Sequence, residues 1–408
     1  MKRLLLASAL LVLAACQQQA RVEPQAAWVP TQTYIAILEP GGPHGGLAPL
    51  AARFSEKLSA LERELGLSIP AEDRLEAVGA VILRNLTPAQ ARRLAQDPRV
   101  YALTPDQEVK AYAQTVPWGV DRIGAPTTTA KGAGVSVYVV DTGIKVGHED
   151  LTNLVGGYAV VKCRGKCRTA YDDDNGHGTH VAGTIAAANN SVGVLGVAPA
   201  AELWAVKVLS GSGSGSTSGI VQGLNWVIAH NNGGKPKVVN MSLGGSGTDD
   251  QDGQYCPAVR STNAFHNVIQ KAVCDYKITV VVAAGNEGDN AANHTPAAYD
   301  EVITVSATNS QDDWPSWSNY GPDVDIAAPG VSVLSTWHTS TSAYNTISGT
   351  SMATPHVAGA AALVLSRYPS YTPAQVKQAL LQNAESTATW NNSSGHPHSE
   401  PFLNVRGF

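Results

Sequence analysis

Three residues in separate parts of the chain have side chains that could perform one reaction together. Asp141 ends an apolar run in "VVDTG", His177 begins a helical pattern in "DNGHGTHVAG", and Ser351 begins another in "GTSMATPHVAGAAALVL". A serine hydroxyl is a weak nucleophile until a neutral imidazole accepts its proton, and the imidazole needs a carboxylate to fix its tautomer. We therefore predict that Ser351 is a nucleophile, His177 its base and Asp141 the orienting carboxylate.

The negative charge that develops on an attacked carbonyl oxygen needs fixed hydrogen-bond donors. Asn286 in "VVAAGNEG" could supply its amide, and the backbone N–H of Ser351 could act at a helix N-terminus. We expect Pro355 in the first turn of that helix, where its missing N–H costs little. Glycines flank the site and leave space for a substrate backbone: Gly143, Gly176, Gly178, Gly285 and Gly349.

Each of these residues also has a simpler explanation. Asp141 and Ser351 could each be a helix cap or a turn residue. The Asp-Thr-Gly sequence resembles the loop of aspartic proteases, but those need two such loops and this chain has one. His180 could form a metal pair with His177, although the HExxH pattern is absent and a structural role for His180 is favoured.

Strands and helices alternate through the second part of the chain, and this alternation would position the three residues. The predicted strands are rich in Val, Ile and Ala, which indicates a buried parallel sheet covered by helices on both faces. Ligand-binding residues cluster beyond the carboxyl ends of such strands. The segments, in chain order, are "VSVYVV", a helix from about Gly178, "AELWAVKVL", "TSGIVQGLNWVIAHN", "KVVNMSL", "STNAFHNVIQKAVC" and "ITVVVAAGN".

Residues 33–109 have a different composition, richer in Leu, Arg and Glu. "YIAIL" and "AVGAVILRNL" are predicted strands, and 47–65 has helical periodicity. A second helix has Thr87 as its N-cap and Pro88 at its first position, and "VYALTPDQEV" is a last strand or extended tail. This βαββαβ order predicts a small split α/β domain of the ferredoxin-like type.

The first 15 residues form an expected export signal, since Lys2 and Arg3 precede an apolar run too short to span a bilayer. The run ends in "LAAC", which resembles a lipoprotein signal with cleavage before Cys16 and lipidation of its thiol. An ordinary export signal with a chance cysteine is the alternative. No later run is apolar enough to cross a membrane, so we expect the remainder outside the cytoplasm.

Four further cysteines are expected to form two local disulfides in that oxidising compartment, although the sequence allows three connectivities. A zinc site is the alternative, but no C-x-x-C pair is present. These residues are Cys163, Cys167, Cys256 and Cys274. The net charge of −5, with 15% charged residues and no basic block of nucleic-acid type, argues against a nucleic-acid partner.

Taken together, "VVDTGI", "HGTHVAGTIAA", "AAGNEG" and "GTSMATPHVAGAAALV" resemble, in this order, the motifs of the subtilisin-like serine proteases. The resemblance covers the chain from about Ala113 to its end and implies a three-layer α/β catalytic domain with a parallel sheet. It implies four regions: an export signal (1–15), a linker (16–32), an inhibitory and chaperoning propeptide (33–112) and the catalytic domain (113–408).

The implied activity is that of an exported, self-maturing serine endopeptidase that cleaves proteins through an acyl-enzyme. "KAYAQTVPWGVDRIG" resembles a subtilisin maturation site, which implies cleavage between Tyr112 and Ala113; an interdomain linker is the alternative. If Cys16 is lipidated, that cleavage would release the active domain. A catalytically dead binding protein and an ester hydrolase are the rival functions.

Two segments, 209–216 and 242–245, are implied to pair with a substrate strand. The specificity pocket would be lined by small residues that leave space for a large apolar or aromatic side chain before the scissile bond, with loose specificity. The implied substrate-binding residues are Leu209, Ser210, Gly211, Ser242, Leu243, Gly244, Gly245, Ala283 and Gly285.

The resemblance also implies structural Ca²⁺, a hard cation that prefers oxygen ligands. One ligand, Gln114, lies just after the maturation site, so metal occupancy should depend on maturation. The ligands of the first site would be Gln114, Asp150, Ala188, Asn190, Val192 and Val194. A second, weaker cation site of the proteinase K type would use Asp300, Val302 and Asp325.

The cysteines depart from the family pattern, and "VKCRGKC" suggests a small disulfide loop near the cleft rim. We expect a monomer whose partners are protein and peptide substrates and its own propeptide, with the membrane reached only through a lipid on Cys16.

Overall fold

A computed structural model describes residues 32–39, 47–106, 114–386 and 399–408. The chain divides into two compact units, Met1–Lys110 and Ala111–Phe408. The export signal with Cys16 and the proposed cleavage pair, Tyr112 and Ala113, lie outside the described residues.

The first unit has the predicted βαββαβ order. An antiparallel four-stranded sheet has the order β2-β3-β1-β4 and packs its apolar face, including Tyr34 and Leu83, against Phe54, Leu58 and Leu94 of the helices. Its elements are β1 (Gln32–Ile37), α1 (Leu47–Leu65), β2 (Arg74–Leu75), β3 (Ala80–Leu86), α2 (Pro88–Gln96) and β4 (Ala102–Pro105).

The caps of α2 follow the sequence prediction. The Thr87 hydroxyl accepts a hydrogen bond from the backbone N–H of Gln90, and the Gln90 side chain accepts one from the backbone of Thr87. Pro88 occupies the first turn, where no intrahelical donor is needed. Local sequence therefore determines where this helix begins.

The second unit contains a seven-stranded parallel sheet of order β13-β12-β10-β8-β5-β7-β6. Two small antiparallel pairs, β9 with β11 and β14 with β15, lie outside it. Its elements are α3 (Trp118–Arg122), β5 (Ser136–Asp141), β6 (Leu154–Ala159), α4 (His177–Ala186), β7 (Glu202–Lys207), α5 (Thr217–Ala229), β8 (Lys237–Met241), β9 (Gly245–Ser246), α6 (Ala264–Gln270), β10 (Thr279–Ala283), β11 (His294–Thr295), β12 (Ile303–Thr308), β13 (Ile326–Pro329), β14 (Val333–Trp337), β15 (Ala343–Ile347), α7 (Thr350–Arg367) and α8 (Pro373–Asn383).

Helices cover both faces of this sheet. Successive residues of a strand point to opposite faces, so Val137 and Val139 of β5 join the core beneath α4 and α7, whereas Tyr138 and Val140 join the core beneath α5 and α6. Every residue of β5 is buried. The three-layer α/β prediction is confirmed, and the sheet holds the carboxyl ends of its strands along one edge.

Both disulfides join the predicted local pairs. Cys163 bonds to Cys167 in the segment that precedes α4, and Cys256 bonds to Cys274 across α6. The alternative zinc site is therefore excluded for these four cysteines. Among the described residues, no helix has the combined length and apolar character needed to cross a membrane.

Candidate active site

The predicted site residues follow the carboxyl ends of three neighbouring strands. Asp141 is the last residue of β5, Ser242 follows β8, and Asn286 comes three residues after β10 ends. Because parallel strands end at the same edge of a sheet, the fold places these residues along one cleft. The N-termini of α4 and α7 contribute His177 and Ser351, and these two helices pack against each other.

Asp141 and His177 form a direct pair. Asp141 is fully buried, and its Oδ1 and Oδ2 lie 2.8 and 3.0 Å from His177 Nδ1. Burial lowers the pKa of His177, but the charge of Asp141 and its hydrogen bond raise it by more, so this pKa lies above the ordinary histidine value. The arrangement leaves His177 Nε2 as the nitrogen that can accept a proton.

Asp173, which the sequence analysis did not select, holds the start of α4. Its Oδ1 accepts hydrogen bonds from the Thr142 hydroxyl (2.9 Å) and the Gly176 N–H (3.0 Å), and its Oδ2 accepts one from the Thr179 N–H (3.0 Å). The acidic run "DDDN" before the helix is a typical N-terminal signal that could have identified it. Asp173 therefore fixes the turn that presents His177.

Ser351 is the second residue of α7, so its N–H belongs to the first turn, whose N–H groups have no intrahelical partner. Its Oγ donates a 3.2 Å hydrogen bond to the backbone carbonyl of Ser242. Within the described parts of the chain, no hydrogen bond joins this hydroxyl to His177. Free enzymes often have such long or unmade contacts, which form only when substrate binds.

The prediction that Pro355 lies in the first turn of α7 is wrong, since the helix begins at Thr350 and includes Pro355 as its sixth residue. The missing N–H of Pro355 leaves the carbonyl of Ser351, four residues earlier, without its helical donor. The Ser242 hydroxyl donates to that carbonyl at 2.8 Å. Pro355 thus allows a hydrogen bond between the catalytic helix and the strand-end segment of Ser242.

Asn286 is oriented by α7. Its Oδ1 accepts hydrogen bonds from the Thr350 N–H (2.8 Å) and the Thr350 hydroxyl (3.0 Å). Its Nδ2 has no hydrogen-bond partner among the residues that the structure describes, and Asn286 is exposed. The amide can therefore donate to an oxygen that enters the cleft.

Ser351 and Asn286 line a pocket of about 260 Å³ together with the residues predicted to form the specificity pocket, except Ser242, which does not line it. Ala283 and Gly285 present almost no side chain to it, and Gly285 has φ 109°, which favours glycine. The β9–β11 pair supplies further wall residues that the sequence analysis missed. The lining is Leu243, Gly244, Gly245, Ser246, Ala283, Ala284, Gly285, Asn286, Glu287, His294, Thr295, Ala297, Thr350 and Ser351.

The glycine-serine run 209–216 is partly folded into a turn rather than fully extended. The Ser210 N–H donates to the Ser214 carbonyl (2.9 Å), and Ser216 caps α5 through the Gly219 N–H (3.1 Å). Within 209–211 the Leu209 N–H donates to the Asp141 carbonyl, and the carbonyls of Leu209 and Gly211 accept from Lys207 and Asn175. The run is therefore not a flexible linker. The pairing of 209–216 with a substrate strand stays a prediction.

Lys207, which the sequence analysis did not select, supports the start of the run 209–216. Its fully buried ammonium contacts the Thr142 carbonyl, the Leu209 carbonyl at 2.8 Å and Asp174 Oδ1 at 2.7 Å. A single charged residue within the apolar strand "WAVKVL" was the available signal, because a buried charge requires partners.

The structure places the residues of the first predicted calcium group next to one another, and calcium binding by them stays a prediction. The carbonyls of Ala188 and Val194 and the side-chain oxygen of Asn190 lie 2.6, 3.1 and 3.4 Å from Gln114 Nε2. Asp150 is buried beside them and bonds Asn190 Nδ2 at 3.0 Å. Three oxygen atoms thus surround Gln114 Nε2, and reversing the Gln114 amide would add its own oxygen to them. The donor set fits a hard cation.

The second predicted cation group does not fit a metal ion. The ammonium of Lys377, on α8, lies 2.6 Å from Asp325 Oδ1 and 3.0 Å from the Val302 carbonyl. The ammonium therefore contacts two of the three predicted ligands. The third predicted ligand is the backbone carbonyl of Asp300. A protein cation occupies the place expected for a metal.

His180 has the structural role that the sequence favoured. It is fully buried, and its Nε2 donates to the Val333 carbonyl at 2.9 Å. Burial lowers the pKa of His180 to about 3. The ring therefore stays neutral and anchors α4 to β14.

The fold and site together define a serine hydrolase of the parallel-sheet α/β type, with a carboxylate–histidine pair, a serine at a helix N-terminus and a free amide donor. A sequence model of the subtilase family matches residues 132–397. The chain belongs to the subtilase family, and it is a serine endopeptidase.

Individual relatives agree with this assignment. An extracellular serine proteinase of Thermus sp. (strain Rt41A) is 48% identical over 303 residues, covering 72% of this chain and 68% of the relative. Subtilisin NAT of Bacillus subtilis subsp. natto is 44% identical over 321 residues, 77% of each chain. The crystal structure of a cold adapted subtilisin-like serine proteinase matches with a TM-score of 0.60 and 36% identity, covering 72% of this chain and 99% of that structure.

Proposed function

We propose that the protein is an exported, self-maturing endopeptidase of broad specificity that prefers a large apolar or aromatic residue before the scissile bond. The observation that carries this proposal is the pocket that Ser351 and Asn286 share with Ala283 and Gly285. A large side chain would enter the pocket beside the small residues, which places its carbonyl carbon next to the Ser351 hydroxyl.

In the proposed reaction, Ser351 Oγ exchanges its bond to the Ser242 carbonyl for one to His177 Nε2 and attacks the substrate carbonyl. His177 accepts the proton, and Asp141 stabilises the resulting imidazolium. The oxyanion accepts hydrogen bonds from Asn286 Nδ2 and the Ser351 N–H. His177 then protonates the leaving amine, which leaves an acyl group on Ser351 that water removes.

The test uses quenched-fluorescence peptides that differ only in the residue before the cleaved bond. Wild-type enzyme should cleave those with Tyr, Phe or Leu faster than those with Gly or Asp. A phosphonylating serine reagent should abolish cleavage and add its mass at Ser351. Absence of cleavage in any peptide, or equal rates for all of them, would contradict the proposal.

We propose that residues 33–112 form an inhibitory and chaperoning propeptide, which is removed by cleavage between Tyr112 and Ala113. The aromatic residue at that junction is the type the pocket would accept. The Ser351→Ala precursor should keep its full mass while wild type matures to a chain that begins at Ala113. Maturation of the variant in a protease-deficient host would exclude self-cleavage.

Export through residues 1–15 and a lipid on Cys16 belong to the same proposal. The lipid would be on the propeptide side of the junction, so maturation would release the catalytic domain as a monomer from the envelope. Mass spectrometry of mature enzyme that still carries the lipid would contradict this release.

We propose that Ca²⁺ is a structural ion bound by Asp150, Asn190 and Gln114 with the carbonyls of Ala188, Val192 and Val194. The grouping of the Ala188, Asn190 and Val194 oxygens around the Gln114 amide supports this. Calorimetry with CaCl₂ should detect binding to wild-type protein and its loss in Asp150→Ala.

A further inference from the structure

A basic loop, residues 162–168, precedes α4 and is closed into a small ring by the Cys163–Cys167 disulfide. Four of its seven residues are cations, and all four are exposed. Within the described part of the chain none of the four side chains forms an ion pair. The cations are Lys162, Arg164, Lys166 and Arg168.

Hydrogen bonds connect this loop to the start of the predicted substrate segment, 209–216. The backbone N–H of Arg164 donates to Asp174 Oδ2 at 2.7 Å, and Asp174 Oδ1 bonds the buried Lys207 that holds the Leu209 carbonyl. The next residue, Asn175, donates from its side chain to the Gly211 carbonyl at 3.0 Å. The loop therefore lies beside the start of the predicted substrate segment, 209–216.

The surroundings leave the loop as the dominant exposed charge beside this segment. The neighbouring acids Asp172 and Asp173 are buried and accept backbone hydrogen bonds, and Asp174 is bonded to Lys207. The exposed run 211–218 has no charged residue. The whole chain has a net charge of −5, so the positive potential here is local.

We propose that the basic loop selects substrates with acidic residues in the stretch that would lie along the predicted substrate segment, 209–216. This inference rests on the proposed peptidase function and adds a second determinant to the apolar pocket. Because the cations are exposed, each pair with a substrate carboxylate would be weak, so each acidic residue should raise kcat/KM about 2- to 5-fold at low salt.

The experiment measures kcat/KM for peptides with Tyr before the cleaved bond and Glu, Gln or Lys at each of the four preceding positions in turn. Wild-type enzyme is compared with Arg164→Gln/Lys166→Gln. Lys271→Gln/Lys277→Gln is the matched control. These exposed lysines precede the amino end of β10, whereas the site lies at the carboxyl ends of the strands, and replacing them removes the same number of charges. Measurements at about 0.01 M and about 1 M salt change the screening length from about 30 to about 3 Å.

We expect wild type and the control to prefer Glu over Gln over Lys at one or more positions, with the preference lost at high salt. In the loop variant, the ratio of kcat/KM for the Glu peptide to kcat/KM for the Gln peptide should fall by at least half. Its kcat/KM for the Gln peptide should stay within twofold of the wild-type value. If wild type cleaves the Gln peptide without any charge preference, or the variant keeps the full preference, this inference is wrong although the peptidase function stands. If no peptide is cleaved, the peptidase function itself fails.

A second experiment tests whether the basic loop binds a membrane surface, using anionic vesicles that contain phosphatidylglycerol. Sedimentation of wild type with these vesicles, lost in the loop variant and accompanied by equal rates for Glu and Gln peptides, would assign the loop to a membrane surface and overturn the inference.

Discussion

Replacing Lys377 by Met should turn the second cation group into a metal-dependent site. The Lys377 ammonium is 24% exposed and its partner Asp325 is 18% exposed, so the pair lies between the surface and the interior. Met keeps the length and apolar stem of lysine but removes the charge that neutralises Asp325. The Val302 carbonyl also loses its donor.

The magnitude follows from this intermediate burial. Removing one partner of a fully buried ion pair costs about 3 to 5 kcal/mol, whereas an exposed pair contributes about 1 kcal/mol or less. We therefore expect a loss of about 2 kcal/mol, which corresponds to a fall in Tm of about 3 °C for the unit Ala111–Phe408. A cation at about 100 times its Kd would restore about 2.7 kcal/mol.

The assay is thermal unfolding of matured enzyme inactivated by a covalent serine reagent, with CaCl₂ or NaCl titrated into wild type, Lys377→Met and Lys377→Arg. The first calcium group contributes equally to all three, so the difference between their responses isolates the second. Without added cation, the Tm of Lys377→Met should be lower than that of wild type, and it should rise more as cation is added. The Tm of Lys377→Arg should follow that of wild type. Identical curves for wild type and Lys377→Met would refute the reasoning.

Further predictions concern catalysis and maturation. Asn286→Ala should lower kcat roughly 100-fold or more with little change in KM; a change in KM alone would contradict its role. Neutral His177 is the base, so kcat/KM should fall as pH decreases through its raised pKa, and the acid limb should lie above the pH of about 6.5 expected for an unperturbed imidazole; an inflection below that value would contradict the Asp141 pairing. Lys207→Met should raise KM for long peptides more than for single-residue amides, and equal effects on both would argue for a global defect. Calorimetric titration should show tighter Ca²⁺ binding to mature enzyme than to the Ser351→Ala precursor, since Gln114 becomes free to move only after cleavage; equal affinities would contradict this.

The sequence was sufficient for features that depend on local patterns. Continuous apolar runs predicted β5, β8 and β10, and capping residues predicted where α2 begins. The motif residues Asp141 and His177 are found in contact because each follows or begins an element at the same edge of the sheet. The local disulfide pairs were also correct.

What the sequence did not predict depends on contacts between distant segments. Lys377 belongs to a helix whose pattern gives no sign that its ammonium reaches Asp325, 52 positions earlier in the numbering, and so the second cation group was expected to bind a metal. The edge strand β6 was missed because "LVGGYA" has paired glycines, which weaken a strand pattern. Pro355 was placed in the first turn because the start of α7 depends on Gly349 and Asn286, not on the helix sequence alone.

Pro355 in α7 helps to connect the predicted substrate segment 242–245 to Ser351. Ser242 and Ser351 are joined by two reciprocal hydrogen bonds, one from each hydroxyl to the other's carbonyl, and the second exists because Pro355 donates nothing to Ser351. In the proposed function, a peptide bound along 242–245 would contact Ser242, the residue whose carbonyl accepts the hydrogen bond of the Ser351 hydroxyl. If the proposed function holds, binding of a substrate strand there would also release the Ser351 hydroxyl, which until then stays bonded to the protein's own backbone.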